Sequence, residues 1–147
     1  MRQNKQRRDI KVISLSLLIN VFMALSEPSV NIIGIILNTW VGMHKTRRKH
    51  GLCIAECYVL LSCVWLEGLG KEISEGSVRS LTRAYHQTYL HKLFMLLRDK
   101  GYIVLSRRSV SGRYTYYELT DKGRELASLL LEGIEARQVA FYNKYLK

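Results

Sequence analysis

The stretch from Gln87 to Gly123, QTYLHKLFMLLRDKGYIVLSRRSVSGRYTYYELTDKG, constrains the fold more than any other part of this chain. Over residues 88–100, Leu90, Leu93, Phe94 and Leu97 recur at three- and four-residue steps, which predicts a helix with one apolar face. Lys100-Gly101 supplies its stop, because glycine readily enters the left-handed conformation that ends helices. Residues 102–108 and 113–119 are rich in β-branched and aromatic side chains and flank Ser109-Val110-Ser111-Gly112, which predicts a hairpin. Thr120 and Asp121 then read as a helix N-cap and first turn. Helix, hairpin and helix in that order, with arginines at the hairpin tip, predict a winged helix-turn-helix. The expected class is mainly α with a small β-hairpin wing.

Two motifs in this stretch carry a family resemblance. Arg98-Asp99-Lys100-Gly101-Tyr102-Ile103 resembles the recognition-helix exit of MarR-type winged-helix regulators, and Leu119-Thr120-Asp121-Lys122-Gly123-Arg124 resembles the strand-to-helix corner that follows their wing. The resemblance covers residues 51–131, where the apolar segment 54–66 is similar to the helix that precedes the two-helix reader. Two departures stand out. Arg83 falls where an apolar residue is usual, and the short wing lacks an Asp that often accompanies the wing arginine. Its Gly112-Arg113-Tyr114-Thr115-Tyr116-Tyr117 run is as similar to the PadR-type wing. The resemblance implies a homodimeric regulator of transcription, most often a repressor acting by occlusion. It implies no cofactor and leaves room for a small-molecule effector.

Charge distribution agrees with a nucleic-acid partner. The net charge is +11, from 23 basic and 12 acidic residues. Residues 78–117 hold eight basic residues against Asp99 alone, a net of +7, whereas residues 118–147 balance five against five. Positive charge therefore gathers at the expected reader and wing, where phosphates have to be neutralised. Two further clusters lie outside it. Arg2, Lys5, Arg7, Arg8 and Lys11 read as a solvated arm; Lys45, Arg47, Arg48 and Lys49, in a polar linker with His44 and His50, read equally as solvated or as phosphate contacts.

The chain divides into a basic arm with apolar helices over 1–45, the winged helix-turn-helix over 46–120 and a C-terminal helix over 121–147, the two ends being dimerisation elements. Apolar segments 10–26 and 30–43 are separated by Ser26-Glu27-Pro28-Ser29, a break with a fresh N-cap. Alternation within 12–21 is also compatible with a strand. Ala24-Leu25-Ser26 superficially completes a secretory pattern, but a DNA reader has no use for export and the cysteines form no paired framework. Neither segment has the length of a membrane span, and Asn20, Asn31 and Asn38 interrupt them, so no membrane partner and a cytoplasmic location are expected. In the C-terminal helix, Leu126, Leu130, Ile134, Arg137, Phe141 and Tyr145 form a stripe that asks for a second subunit or for the chain's own N-terminal helices.

Catalytic chemistry is hard to assemble, and no enzyme is expected. No phosphate-binding Gly-rich loop, paired carboxylates or Ser-His-Asp set stands out. Cys53, Cys57 and Cys63 read as buried thiols of an apolar helix, with no second ligand pair to make a metal site with His50. The expected chemistry is DNA binding. Gln87, Thr88, Tyr89, His91 and Lys92 occupy the polar face at the start of the reader helix; Gln is suited to adenine, Lys to guanine, and Thr and Tyr to phosphate or thymine methyl. Arg107, Arg108 and Arg113 on the wing would meet phosphates or the minor groove. A different class remains open: a winged-helix interaction module serving proteins, replication or a mobile element without regulating a promoter. A third, a regulator tethered to a membrane by residues 10–43, is tested by sedimentation with membranes.

Overall fold

The computed structural model describes residues 28–83 and 85–145. The basic arm, the segment 10–26 with its strand-like alternation and the secretory-like pattern lie outside the described residues. The order of elements is α1 (Pro28–Lys49), α2 (Ile54–Gly68), β1 (Ile73–Ser74), α3 (Glu75–Thr82), α4 (Gln87–Asp99), β2 (Ile103–Arg108), β3 (Thr115–Leu119) and α5 (Asp121–Tyr145). The described residues fall into two compact units, one spanning Met43–Glu132 and the other combining residues before and including Gly42 with those from Gly133 onward.

The larger unit is a three-helix cluster closed by a small sheet. Leu90, Leu93, Phe94 and Leu97, the apolar face expected of α4, are all buried, together with Val59, Leu60 and Cys63 of α2 and Val78 of α3. The Phe94 ring meets Tyr117 of β3 at 4.9 Å between centroids, joining helix and sheet. α4 ends where expected: Gly101 has φ +79°, and Gly101 and Tyr102 donate back to Arg98 O and Leu97 O. The sheet is antiparallel in the order β1-β3-β2, so the hairpin gains a third strand, with Ile73 opposite Tyr117. An irregularity between Leu105 and Arg107 brings Arg107 opposite Tyr116.

The corner into α5 forms as its sequence suggests. Thr120 Oγ1 accepts the Gly123 N–H at 3.0 Å and donates to Gly101 O at 2.7 Å, so one hydroxyl caps α5 and ties it to the end of α4. Gly123 is required by close approach: a Cβ there would collide with the Tyr102 carbonyl oxygen, which already accepts the Thr120 N–H. Gly123→Ala is therefore expected to destabilise the chain by about 1–3 kcal/mol, read as a lower urea midpoint.

Three readings need correction. His44 to Lys49 do not form a polar linker; they complete the last turns of α1, which runs unbroken to Lys49. No glycine or proline interrupts the chain between Gly42 and Gly51, and cations are favourable at a helix C-terminus. Cys53 is exposed and precedes α2, where its Sγ accepts the Glu56 N–H; Cys57 and Cys63 are buried as expected, and burial pushes their thiols up to about 11 and about 12. In the stripe on α5, Arg137 is exposed and Gln138 is the buried neighbour.

In the smaller unit the chain of α1 lies close against that of α5. A Cβ at Gly42 would meet Gly133 O and Ile134 Cα at 2.6 Å, so glycine permits the crossing. Gln138 Nε2 donates to Ile35 O at 2.9 Å and contacts Thr39 Oγ1 at 3.2 Å, which ties the two helices with buried polar bonds.

Candidate nucleic-acid interface

α3 and α4 form the helix-turn-helix, and the turn between them is tight. α3 starts with a reciprocal cap between Ser74 and Ser77 and ends at Arg83, the only non-glycine residue with positive φ (+44°) among the described residues. A left-handed Arg where glycine is common costs roughly 1–2 kcal/mol, which the turn has to absorb. Arg83 thus stands past the helix end, exposed, which explains why it departs from an apolar pattern. His86 caps α4 through Nδ1, which accepts the Thr88 N–H at 3.4 Å.

With the apolar side of α4 buried, Gln87, Thr88, Tyr89, His91 and Lys92 are all exposed on the opposite side, near the positive end of the helix dipole. They are not equally available. His91 Nδ1 lies 2.7 Å from Glu75 Oε1 of α3, so this side chain is drawn back across the helix pair. Gln87 Oε1 accepts from Arg79 Nη1 at 3.4 Å. Tyr89 stands edge-on to Tyr85 at 5.7 Å. Lys92 is exposed and makes no ion pair among the described residues.

The wing arginines differ in the same way. Arg107 pairs with Glu72 and lies 4.3 Å over the Tyr116 ring, so it braces the base of the wing. Arg108 and Arg113 are exposed and make no ion pair among the described residues. The tip itself is ordered by Ser109, whose N–H donates to Tyr114 O at 2.8 Å and whose Oγ accepts the Tyr114 N–H at 3.0 Å; Gly112 supplies the left-handed residue. Sequence reasoning missed Arg79, Ser80 and Arg83, which with Gly76 and Tyr85 line an open depression beside the start of α4. The signal was partly present: Arg79 and Arg83 are four residues apart, the spacing of one helical step, although in the structure Arg83 lies past the helix end.

No family model matches the chain. Over 97 residues, 65% of the chain, it is 29% identical to the HTH-type transcriptional regulator Hpr of Bacillus thuringiensis (strain Al Hakam). The chain spans about half (49%) of the length of that relative. Among solved structures it is similar to NadR in complex with 4-hydroxyphenylacetate, with a TM-score of 0.60 and 13% identity over 81% of each chain. It is also similar to a MarR-family transcriptional regulator from Rhodococcus sp. RHA1, with a TM-score of 0.58 and 18% identity over 82% of this chain and 85% of the other. The fold is the MarR-type winged helix. The resemblance read from the motif at the exit of α4 and the corner before α5 is borne out. In this MarR-type frame, α4 is the second helix of the helix-turn-helix and the β2–β3 hairpin is the wing.

Proposed function

We propose that the chain is a sequence-specific double-stranded DNA-binding regulator of transcription, acting as a homodimer, with α4 in the major groove and the wing on the backbone or in the adjacent minor groove. The observation that carries this reading is the division of α4 into a fully buried apolar face and an exposed polar face, flanked by Arg108 and Arg113 of the wing, which are exposed and make no ion pair among the described residues. A side-chain set of Gln, Thr, Tyr and Lys on an exposed helix start can reach base edges, while Arg108 and Arg113 neutralise phosphates. Repression by occlusion of a promoter is the expected output.

A cytoplasmic location follows from that role; among the described residues no single helix is long and apolar enough to cross a membrane. The same reading includes no catalysis and no cofactor. A small-molecule effector is compatible with it, as NadR was solved with 4-hydroxyphenylacetate.

The homodimer rests on α1. Ile36, Leu37, Trp40 and Val41 are each about half exposed or more and fall at i, i+1, i+4 and i+5, so they form one uncharged apolar face. A second copy covers it by a two-fold axis that buries the same patch on both subunits. The stripe on α5 serves this role less than its sequence suggests, because Leu126 and Leu130 are already buried in their own chain.

The test is a salt titration of duplex binding by the purified chain. Specific shifts that weaken steeply with salt are expected; a chain that shifts no duplex at low salt overturns the reading in favour of an interaction module. On the wing, Arg113→Ala and Arg108→Ala are each expected to weaken binding to every duplex alike and to flatten the log–log salt slope by about one unit. Arg107→Ala should instead loosen the wing, since its charge is already engaged by Glu72.

A further inference from the structure

Taking α4 as the reader of DNA, as proposed above, we propose that Arg79 and Gln87 act as one composite reader that selects guanine, Arg79 being the positioning residue that sets which end of the Gln87 amide faces the groove. A glutamine on its own is ambivalent. It can accept through Oε1 and donate through Nε2, and this pairing suits adenine, whose major-groove edge offers a donor at N6 and an acceptor at N7.

The geometry removes that ambivalence. Arg79 Nη1 donates to Gln87 Oε1 at 3.4 Å, which turns the amide oxygen back onto α3 and leaves the Nε2 donors directed away from it. A guanidinium carries five N–H donors and no acceptor, and among the described residues only one of those of Arg79 is engaged. Both side chains are exposed, and Arg79 lines an open depression with Arg83 and Ser80, so its remaining donors face solvent. The pair thus presents donors toward the groove, with its one acceptor oxygen turned to Arg79. Guanine presents two acceptors, N7 and O6, to the major groove, whereas the adenine N6 amino group would meet donors and the adjacent positive charge. A second feature supports the coupling. Arg79 makes no ion pair among the described residues, and the acidic residue of the α3 first turn, Glu75, is engaged by His91. Arg79 is therefore not drawn away from Gln87 by a neighbouring carboxylate.

The experiment is selection of binding sites from randomised duplexes by the full chain and by Gln87→Ala, Arg79→Met and Arg79→Lys, with thermal melts to confirm folding; the exposed positions should leave the melts unchanged. Wild type is expected to select guanine at one position per half-site, by roughly 5- to 150-fold over adenine, the range of a good bidentate contact. Gln87→Ala should lose that preference. Arg79→Met, which keeps the length of the side chain but none of its donors, should shift the same position toward adenine, and Arg79→Lys should restore part of the guanine preference. If Arg79→Met weakens all duplexes alike and keeps guanine, Arg79 is a phosphate contact only and the composite reader is wrong while α4 remains the reader. Wild-type selection of adenine at the Gln87-dependent position also sinks it. A Gln87→Ala variant with an unaltered site removes Gln87 from reading altogether, and a chain that selects no duplex overturns the proposed function itself.

Discussion

Replacing Lys100 with methionine is expected to destabilise the chain by about 2–3 kcal/mol, below the ~3–5 typical of breaking a fully buried ion pair because Lys100 itself is about one-third exposed. Lys100 Nζ lies 2.5 Å from Glu56 Oε1 and donates to Gly51 O at 3.0 Å, so it joins the exit of α4 to the start of α2. The Glu56 side chain is only 4% exposed, and its other oxygen accepts the Cys53 N–H at 2.8 Å. Burial pushes this carboxyl up, but the Lys100 ammonium and the Cys53 N–H together outweigh burial and hold it below its ordinary value of 4.5. A carboxyl lowered in the folded state adds stability above its unfolded pKa and loses it as pH falls through the folded value. Removing Lys100 weakens the opposition to burial, which is then countered only by the Cys53 contacts. The deficit of Lys100→Met should be largest at neutral pH and should shrink as pH falls through the lowered wild-type value of Glu56, which lies below the ordinary 4.5, because only there is the carboxyl neutralised in both proteins. Adding Glu56→Gln should recover much of the loss at pH 7, since an amide oxygen can still accept the Cys53 N–H. Urea denaturation across pH measures all three variants. A loss that does not vary with pH would mean that Lys100 acts through packing and not through its charge.

What could be read without coordinates follows from the range of the forces involved. The boundaries of α4 were legible because a helical apolar face and a left-handed glycine are both local signals. The Thr120 corner was legible for the same reason, a cap being set within a few residues. β1 was not, since two residues show no alternation and Ile73 is a strand only because Tyr117 lies opposite it. The C-terminal turns of α1 were hidden by their charge, which resembles a loop although lysine and arginine are good helix formers. The place of Cys53 before its helix is not legible in the sequence, because cysteine is an unusual cap. At the candidate site, periodicity placed Gln87, Thr88, Tyr89, His91 and Lys92 on the exposed face of α4, as the structure has them, but could not rank them. The pairings Arg107–Glu72, His91–Glu75 and Arg79–Gln87 join residues 35, 16 and 8 apart, and each is created by the fold. They separate cations engaged within the chain from Lys92, Arg108 and Arg113, which make no ion pair among the described residues.

The other large effect is expected at the apolar face of α1. Leu37 and Trp40 are 58% and 48% exposed, so aspartate at both positions removes little packing within the subunit. It would, however, place four carboxylates near a two-fold axis in a dimer, where like charges without partners are strongly unfavourable. The double variant should sediment as a monomer at micromolar concentration with an unchanged helical circular dichroism spectrum. Its affinity for a full two-half-site duplex, with half-sites about 10 bp apart, should fall by about 10²-fold or more, because the second reader is then no longer held at a high effective concentration. Affinity for an isolated half-site should change little. Leu130→Asp is the contrasting control: Leu130 is fully buried, so that variant should lose stability before it reports on assembly. The separation of the two outcomes assigns the interface to α1 and not to the buried stripe of α5. If the α1 variant still sediments as a dimer, another face holds the subunits together. If it is a monomer that grips the full operator as tightly as wild type, one reader suffices and the dimer mechanism is wrong.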